Sequence, residues 1–266
     1  MLNILKSVNY GLRKDKVVNI SIIAMIGIPF LLLMMISSGM GNAVKNLTPS
    51  FIVGSQLLGM IFALSYLGIT IISCKAMGMD GSDKTINYEI MSGHRRFNVF
   101  AGRVIAGILW GTLLIWIINA IPVPVFYLIN GWGKETDALD VIKRMLLCFF
   151  PMLRLCALNL MLASIFGSAG KGIVGGLGTF ALFDILESVL SENFNLKMDF
   201  MFGFINILYL LIPQNSREFI IDGKPVTVFE TAVTKEAVFG TIGASLLFTV
   251  LYLTVAYILF KKKDRH

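Results

Sequence analysis

Six long apolar runs, Val17–Ile36, Phe51–Cys74, Val104–Ile129, Met145–Gly167, Ile173–Leu190 and Val238–Phe260, alternate with short polar segments along the chain. A hydrocarbon core of about 30 Å takes roughly 20 apolar residues in a helix, and each run approaches or exceeds that length. The pattern predicts an all-α polytopic membrane protein with six transmembrane helices, forming one domain over residues 1–266. Before the first run, Leu2, Leu5, Val8 and Leu12 recur at helical spacing, with Lys6, Asn9, Arg13 and Lys16 elsewhere on the wheel. Met1–Lys16 is therefore expected as an amphipathic helix in the membrane interface. It lacks the compact apolar core and small-residue site of a cleaved signal peptide. Phe200–Pro213 is apolar but only about 14 residues long, too short to cross, so it reads as a short external re-entrant or interfacial helix. The polar stretch Gln214–Ala237 completes an external loop over 191–237.

Composition agrees with this class. Apolar residues make up 56% of the chain, charged residues only 15%, and the mean hydropathy is +0.78. The basic residues also orient the helices. With the N-terminus inside, the cytoplasmic segments carry fourteen Lys and Arg and the external ones eight. The positive-inside rule therefore places both termini in the cytosol, and a plasma membrane is the expected location. That asymmetry accounts for the net charge of +7 without any nucleic-acid partner.

Several chemistries are excluded. Gly167-Ser168-Ala169-Gly170-Lys171-Gly172 lacks the spacing and hydroxyl of a phosphate-binding loop, so no ATP hydrolysis is expected from this chain. The only histidines, His94 and His266, are cytoplasmic in this topology. No base then serves an intramembrane serine, and no H-E-x-x-H zinc site can form. Cys74, Cys148 and Cys156 lie in or at the end of spans and read as packing residues. Gly107 with Gly111, and Gly172 with Gly176, have the spacing that lets helix backbones approach closely. Pro29, Pro122, Pro124 and Pro151 are expected to kink spans one, three and four.

Charge inside the apolar runs calls for a partner. Arg154 lies about 13 Å below the outer face and Asp184 about 14 Å, by the 1.5 Å rise per residue. Glu187 is one turn further out on the same face as Asp184. An Arg154–Asp184 pair, with Glu187 as the second candidate, is expected either to clamp two helices or to lie on a substrate path. Asn119 and Asn159 read as interhelical hydrogen-bond partners.

The most informative stretch is the basic loop between spans two and three, residues 75–103. Asp83 caps a short predicted helix over Lys84–Met91, Gly93 stops it, and Arg95 and Arg96 follow. Ile86 and Ile90 form an apolar stripe, flanked by Tyr88 and Met91. The string from Asp83 through Lys84, Thr85, Ile86, Asn87, Tyr88, Glu89 and Ile90 to Gly93, Arg95 and Arg96 resembles the coupling helix of ABC-2-type permeases. These are the membrane subunits of ATP-binding-cassette exporters. The six-span layout, the N-terminal helix and the terminal Phe260-Lys261-Lys262-Lys263-Asp264 extend the resemblance over the whole chain. The family often has Lys where this chain has Arg103, a departure that preserves charge.

The resemblance implies a non-catalytic subunit. A separate ATPase subunit would bind ATP and Mg, and a second permease, identical or different, would complete the path across the lipid bilayer. Ile86, Tyr88 and Ile90 would fill a cleft of the ATPase, with Asp83, Glu89, Arg95 and Arg96 fixing the register. Spans two and five would line the path, which brings in Gln56, Phe62 and Ser65. The mostly apolar wall suits a hydrophobic or amphipathic cargo such as a lipid-like molecule or an antimicrobial peptide. A proton- or ion-coupled carrier using Arg154, Asp184 and Glu187, and a non-transporting immunity or assembly subunit, are the alternatives.

Overall fold

The structure, a computed structural model, describes residues 2–39, 48–50, 57–78, 93–134, 136–194, 215–221, 224–230 and 234–262. The expected helix over 84–91, Phe200–Pro213 and Gln56 lie outside them. Seven helices make up the described bundle. They are α1 (Leu2–Lys14), α2 (Lys16–Gly39), α3 (Leu57–Gly78), α4 (Arg96–Asn130), α5 (Ala138–Phe166), α6 (Ala169–Phe194) and α7 (Lys235–Lys262). Three of them, α4, α5 and α7, are long and apolar enough to cross a membrane. The apolar stretches found in α2, α3 and α6 are shorter.

Helix α5 is the central pillar. It packs against α3, α4, α6 and α7, and 67% of its most apolar stretch is buried, against 17% for the peripheral α7. Close backbone approach explains how so many neighbours fit. A Cβ at Gly107 would lie 2.9 Å from Leu160 Cδ2, one at Gly111 would lie 2.6 Å from Ser73 Oγ, and one at Gly172 would lie 3.0 Å from Ala163 Cα. The small-residue spacing read from the sequence thus marks real contact lines between α4 and α5, α4 and α3, and α6 and α5. Gly167, at φ 67°, closes α5 in the left-handed conformation and donates its N–H to the Ala163 carbonyl. The chain then reverses into α6 within two residues.

The helices depart from the sequence reading at three places. Helix α4 begins at Arg96 rather than near Val104, so Arg103 is not a loop residue but lies in the helix, 1% exposed. Helix α5 begins at Ala138, which also takes Arg144 into the helix and buries it. Hydropathy marks the part of a helix that meets lipid; hydrogen bonding carries the helix beyond it. At 35 residues α4 is about 52 Å long, well over the ~30 Å core. The third departure concerns α1. Its buried face is Ile4, Val8 and Leu12, while Leu2 is 69% exposed. Residues i, i+4 and i+8 share one stripe, and Leu2 falls away from it. That stripe packs on the bundle, chiefly on α4, where the absent side chain of Gly102 admits Ile4.

The prolines act unequally. Helix α5 continues across Pro151, whereas α4 is interrupted by a turn at Ile121, directly before Pro122. One turn of α4, Leu109–Leu114, is a π-helix. Such bulges insert one extra residue into the ladder and re-aim the side chains around them. Here the bulge carries Gly111 and Thr112 inward toward α3 and α5.

The fold is helical, and beside the helices the described residues hold one short strand pair. Asn215–Ile221 and Lys224–Glu230 pair as an antiparallel hairpin, with Ile221 opposite Lys224. That register leaves a two-residue connection, and the sequence there is Asp222-Gly223 between runs rich in β-branched and aromatic residues. Asp-Gly in such a setting is the strongest short-range hairpin signal, so this element was readable from the sequence.

Candidate functional site

The end of the bundle that holds α1 also holds both edges of the 79–92 segment, and each edge is fastened to other helices. On the α3 side, Lys75 Nζ lies 2.7 Å from Asp15 Oδ2 in the joint between α1 and α2. Asp15 is the only carboxylate before Asp80. Its other oxygen accepts the amides of Val17 at 2.8 Å and Val18 at 3.3 Å, which caps α2. Partial burial would raise this carboxyl's pKa. The Lys75 hydrogen bond, the two amides and the Lys75 charge outweigh burial and hold it below the usual range. Gly78, the last residue of α3, abuts the start of α6, where a Cβ would lie 2.6 Å from the Ala169 amide nitrogen.

On the α4 side, Arg95 is exposed and occupies the cap position, while Arg96 Nη1 donates to the Lys261 carbonyl at 2.7 Å. A cation on the last carbonyls of a helix satisfies groups that have no partner within the helix. Below this clasp, Phe97 meets the Tyr257 ring edge-on at 5.7 Å, and Phe100 packs at a tilt on Tyr257 at 5.3 Å and on Phe260 at 5.6 Å. Helix α1 is pinned again by Trp110 Nε1, which donates to Asn9 Oδ1 at 3.0 Å from within the π-helical turn. Of the nine docking residues read from the sequence, Asp83, Lys84, Thr85, Ile86, Tyr88, Glu89 and Ile90 lie outside the described residues. Arg95 stands exposed at the edge of that segment, and Arg96 is engaged with α7.

The middle of the bundle holds the second group. Arg154, near the midpoint of α5, is 2% exposed and lies over the Phe248 ring of α7 at 5.7 Å, with Tyr252 beside it. The ring quadrupole attracts a guanidinium placed over its face and offsets part of the hydration lost on burial. Asp184 and Glu187 lie on α6, which packs against α5, but their side chains are outside the described residues. The expected pair is therefore located only to neighbouring helices.

Polar contacts bind α3 into this core. Ser65 Oγ donates to Asn119 Oδ1 at 2.8 Å, joining α3 to α4. Asn159 of α5 donates to Thr70 Oγ1 at 3.3 Å and to the Leu155 carbonyl at 2.9 Å. Ser73 donates to Cys156 Sγ at 3.2 Å, and Tyr66 donates to the Gly176 carbonyl. The three cysteines are buried and free. Ser65, read as path-lining, thus faces the interior of this chain, 2% exposed. Phe62 lies on α3 with its side chain outside the described residues. What sequence reasoning missed is the burial of Arg103 and Arg144, the Asp15–Lys75 pair and the use of Arg96. The isolation of Asp15 in an otherwise acid-free stretch was the available signal for the pair. Compared with known proteins, the chain matches no family model and no curated protein sequence.

Proposed function

We propose that this chain is a six-span permease subunit of an ATP-driven exporter, with its 79–92 segment docking a separate ATPase that binds ATP and Mg. The observation that carries the reading is the fastening of that segment's two edges. One edge is tied to α1 and α6 through Lys75–Asp15 and Gly78–Ala169, and the other to α7 through Arg96 and the Lys261 carbonyl. A segment merely awaiting solvent needs no such collar. A segment pushed by a partner does, because force applied to it reaches several helices through short, directional contacts. The resemblance of Asp83–Arg96 to the coupling helix of ABC-2-type permeases supplies the partner's class. In this reading α2, α3 and α6 complete the six spans, the collar is cytoplasmic, and a second permease completes the path. The cargo is hydrophobic or amphipathic, in keeping with the apolar walls.

The test is affinity capture of the tagged chain from mild detergent, for the wild type and for Tyr88→Asp combined with Arg95→Glu. The ATPase activity that co-purifies is then measured. The reading expects a nucleotide-binding subunit with the wild type that is lost with the variant. A wild-type chain that brings down no ATPase refutes it. Burial of Arg154 in mid-bundle favours a second reading, a gradient-driven carrier. That reading expects the isolated chain in vesicles to transport until the proton gradient is dissipated.

A further inference from the structure

The α5–α7 seam carries more unsatisfied polarity than packing alone requires. Thr241, Ser245 and Thr249 recur every fourth residue on α7, are 1%, 1% and 7% exposed, and their hydroxyls have no hydrogen-bond partner among the described residues. Four other hydroxyls in these helices behave differently. Ser21, Ser164, Thr179 and Thr254 each donate to the carbonyl four residues back, at 2.7 to 2.9 Å. The three α7 hydroxyls forgo that bond.

They also share their helix face with Val238, Ile242, Phe248 and Tyr252, as a 100° step per residue places them. Val238 and Ile242 form one wall of a cleft of about 530 Å³ at the far end of the bundle from the collar. Asp140, Lys143, Leu146, Leu147 and Phe150 of α5 form the other wall. This volume lies within the roughly 300–1,000 Å³ of small-molecule sites. Phe248 and Tyr252, at the other end of the stripe, are the residues beside Arg154. From Thr241 to Thr249 the hydroxyls cover about 12 Å along α7. Phe150, on the α5 wall, is one turn from Arg154.

We propose that water enters the seam from this cleft and follows the hydroxyls of Thr241, Ser245 and Thr249 to Arg154, forming a hydrated binding track open at the far end. Each hydroxyl supplies one donor and two lone pairs, and a buried water needs two to four such partners. The track gives the buried guanidinium an aqueous approach from one side of the membrane only. The inference does not depend on the ATPase reading, since it concerns solvent access alone.

Cysteine labelling tests it. Ser245→Cys and Thr249→Cys are made in the full chain, whose native cysteines are buried and set the background. Lys143→Cys, at an exposed side chain, reports which side the far end faces, and Leu251→Cys, 49% exposed on another face of α7, is the lipid control. The probe is MTSET, a charged, membrane-impermeant thiol reagent, applied separately to right-side-out and inverted vesicles and read as a mass shift of the purified chain. Both seam cysteines are expected to react at least about ten-fold faster than Leu251→Cys, and from the same side as Lys143→Cys. Rates equal to the lipid control overturn the track, and so does reaction only from the opposite side. If Lys143→Cys itself reports the cytoplasmic side, the orientation is reversed while the track is still judged by the seam cysteines. Should Ser245→Cys fail to insert, Thr249→Cys alone decides, because the track must pass Ser245 to reach it.

Discussion

Gly172 offers the sharpest test of how the helices meet. A Cβ there would lie 3.0 Å from Ala163 Cα, 3.1 Å from Ala163 Cβ and 3.2 Å from Cys74 Sγ. The first of these is backbone and cannot rotate aside. Gly178, on the same helix, would meet nothing within 4 Å. Replacing a glycine inside a helix by alanine gains about 0.5–1 kcal/mol through the conformational freedom the glycine no longer loses. At Gly178 that gain is the whole effect. At Gly172 it is opposed by overpacking, typically ~1–3 kcal/mol, so alanine there comes out near neutral or unfavourable. Leucine adds three further carbons to the same contact and must displace α6 from α5. With roughly 2–4 °C of melting temperature per kcal/mol, Gly178→Ala is expected to raise the midpoint by about 1–4 °C. By the same conversion Gly172→Leu lowers it by roughly 2–12 °C. The assay is thermal unfolding of the detergent-solubilised chain, followed by fluorescence-detected size exclusion. An unchanged midpoint for Gly172→Leu would show that α5 and α6 do not touch along this line.

Other outcomes follow from the same contacts. A double-mutant cycle on Asp15→Asn and Lys75→Met is expected to give a coupling of about 0.5–1 kcal/mol, because the pair is only partly shielded from solvent. The Asp15 carboxyl titrates below its ordinary value, so its contribution is complete above about pH 4 and fades as the pH falls further. Asp15→Asn should flatten that acid limb in a pH series of unfolding midpoints. Ser65→Ala leaves the Asn119 carbonyl oxygen without its donor in the interior and is expected to cost ~1–3 kcal/mol, whereas the joint change with Asn119→Leu should cost less than the sum. A cycle on Arg154→Met and Phe248→Ala should show a coupling of about 0.5–1 kcal/mol, the strength of a cation on a ring that water can reach. A coupling near zero would place Arg154 elsewhere.

How much of this was legible beforehand varies with the kind of information each feature needs. Gly107, Gly111, Gly172 and Gly176 were readable because close approach requires a missing side chain, whatever the neighbour turns out to be. Arg154 was readable as buried for a similar reason, since its position in an apolar run fixes its depth. Arg96 was not. Its basic neighbours and the loop setting suggested a partner chain, while the carbonyl it meets belongs to a residue far along the sequence. The hairpin at 215–230 has its signal in Asp222-Gly223 and its flanking runs, set within a polar stretch that hydropathy alone reads as loop.

The sequence by itself determined that this chain is built of apolar helices, that Arg154 is buried, and which glycines mark contact lines. These follow from local rules, namely hydropathy, periodicity and side-chain size, that act over a few residues. Only the tertiary structure decided which face of α1 is covered, that α4 and α5 extend past their apolar runs, and that Ser65 meets Asn119. It also decided that three hydroxyls of α7 are buried without a hydrogen-bond partner among the described residues. Each of these depends on residues brought together from distant parts of the chain, and packing geometry, not composition, selects among the many partners a polar side chain could take.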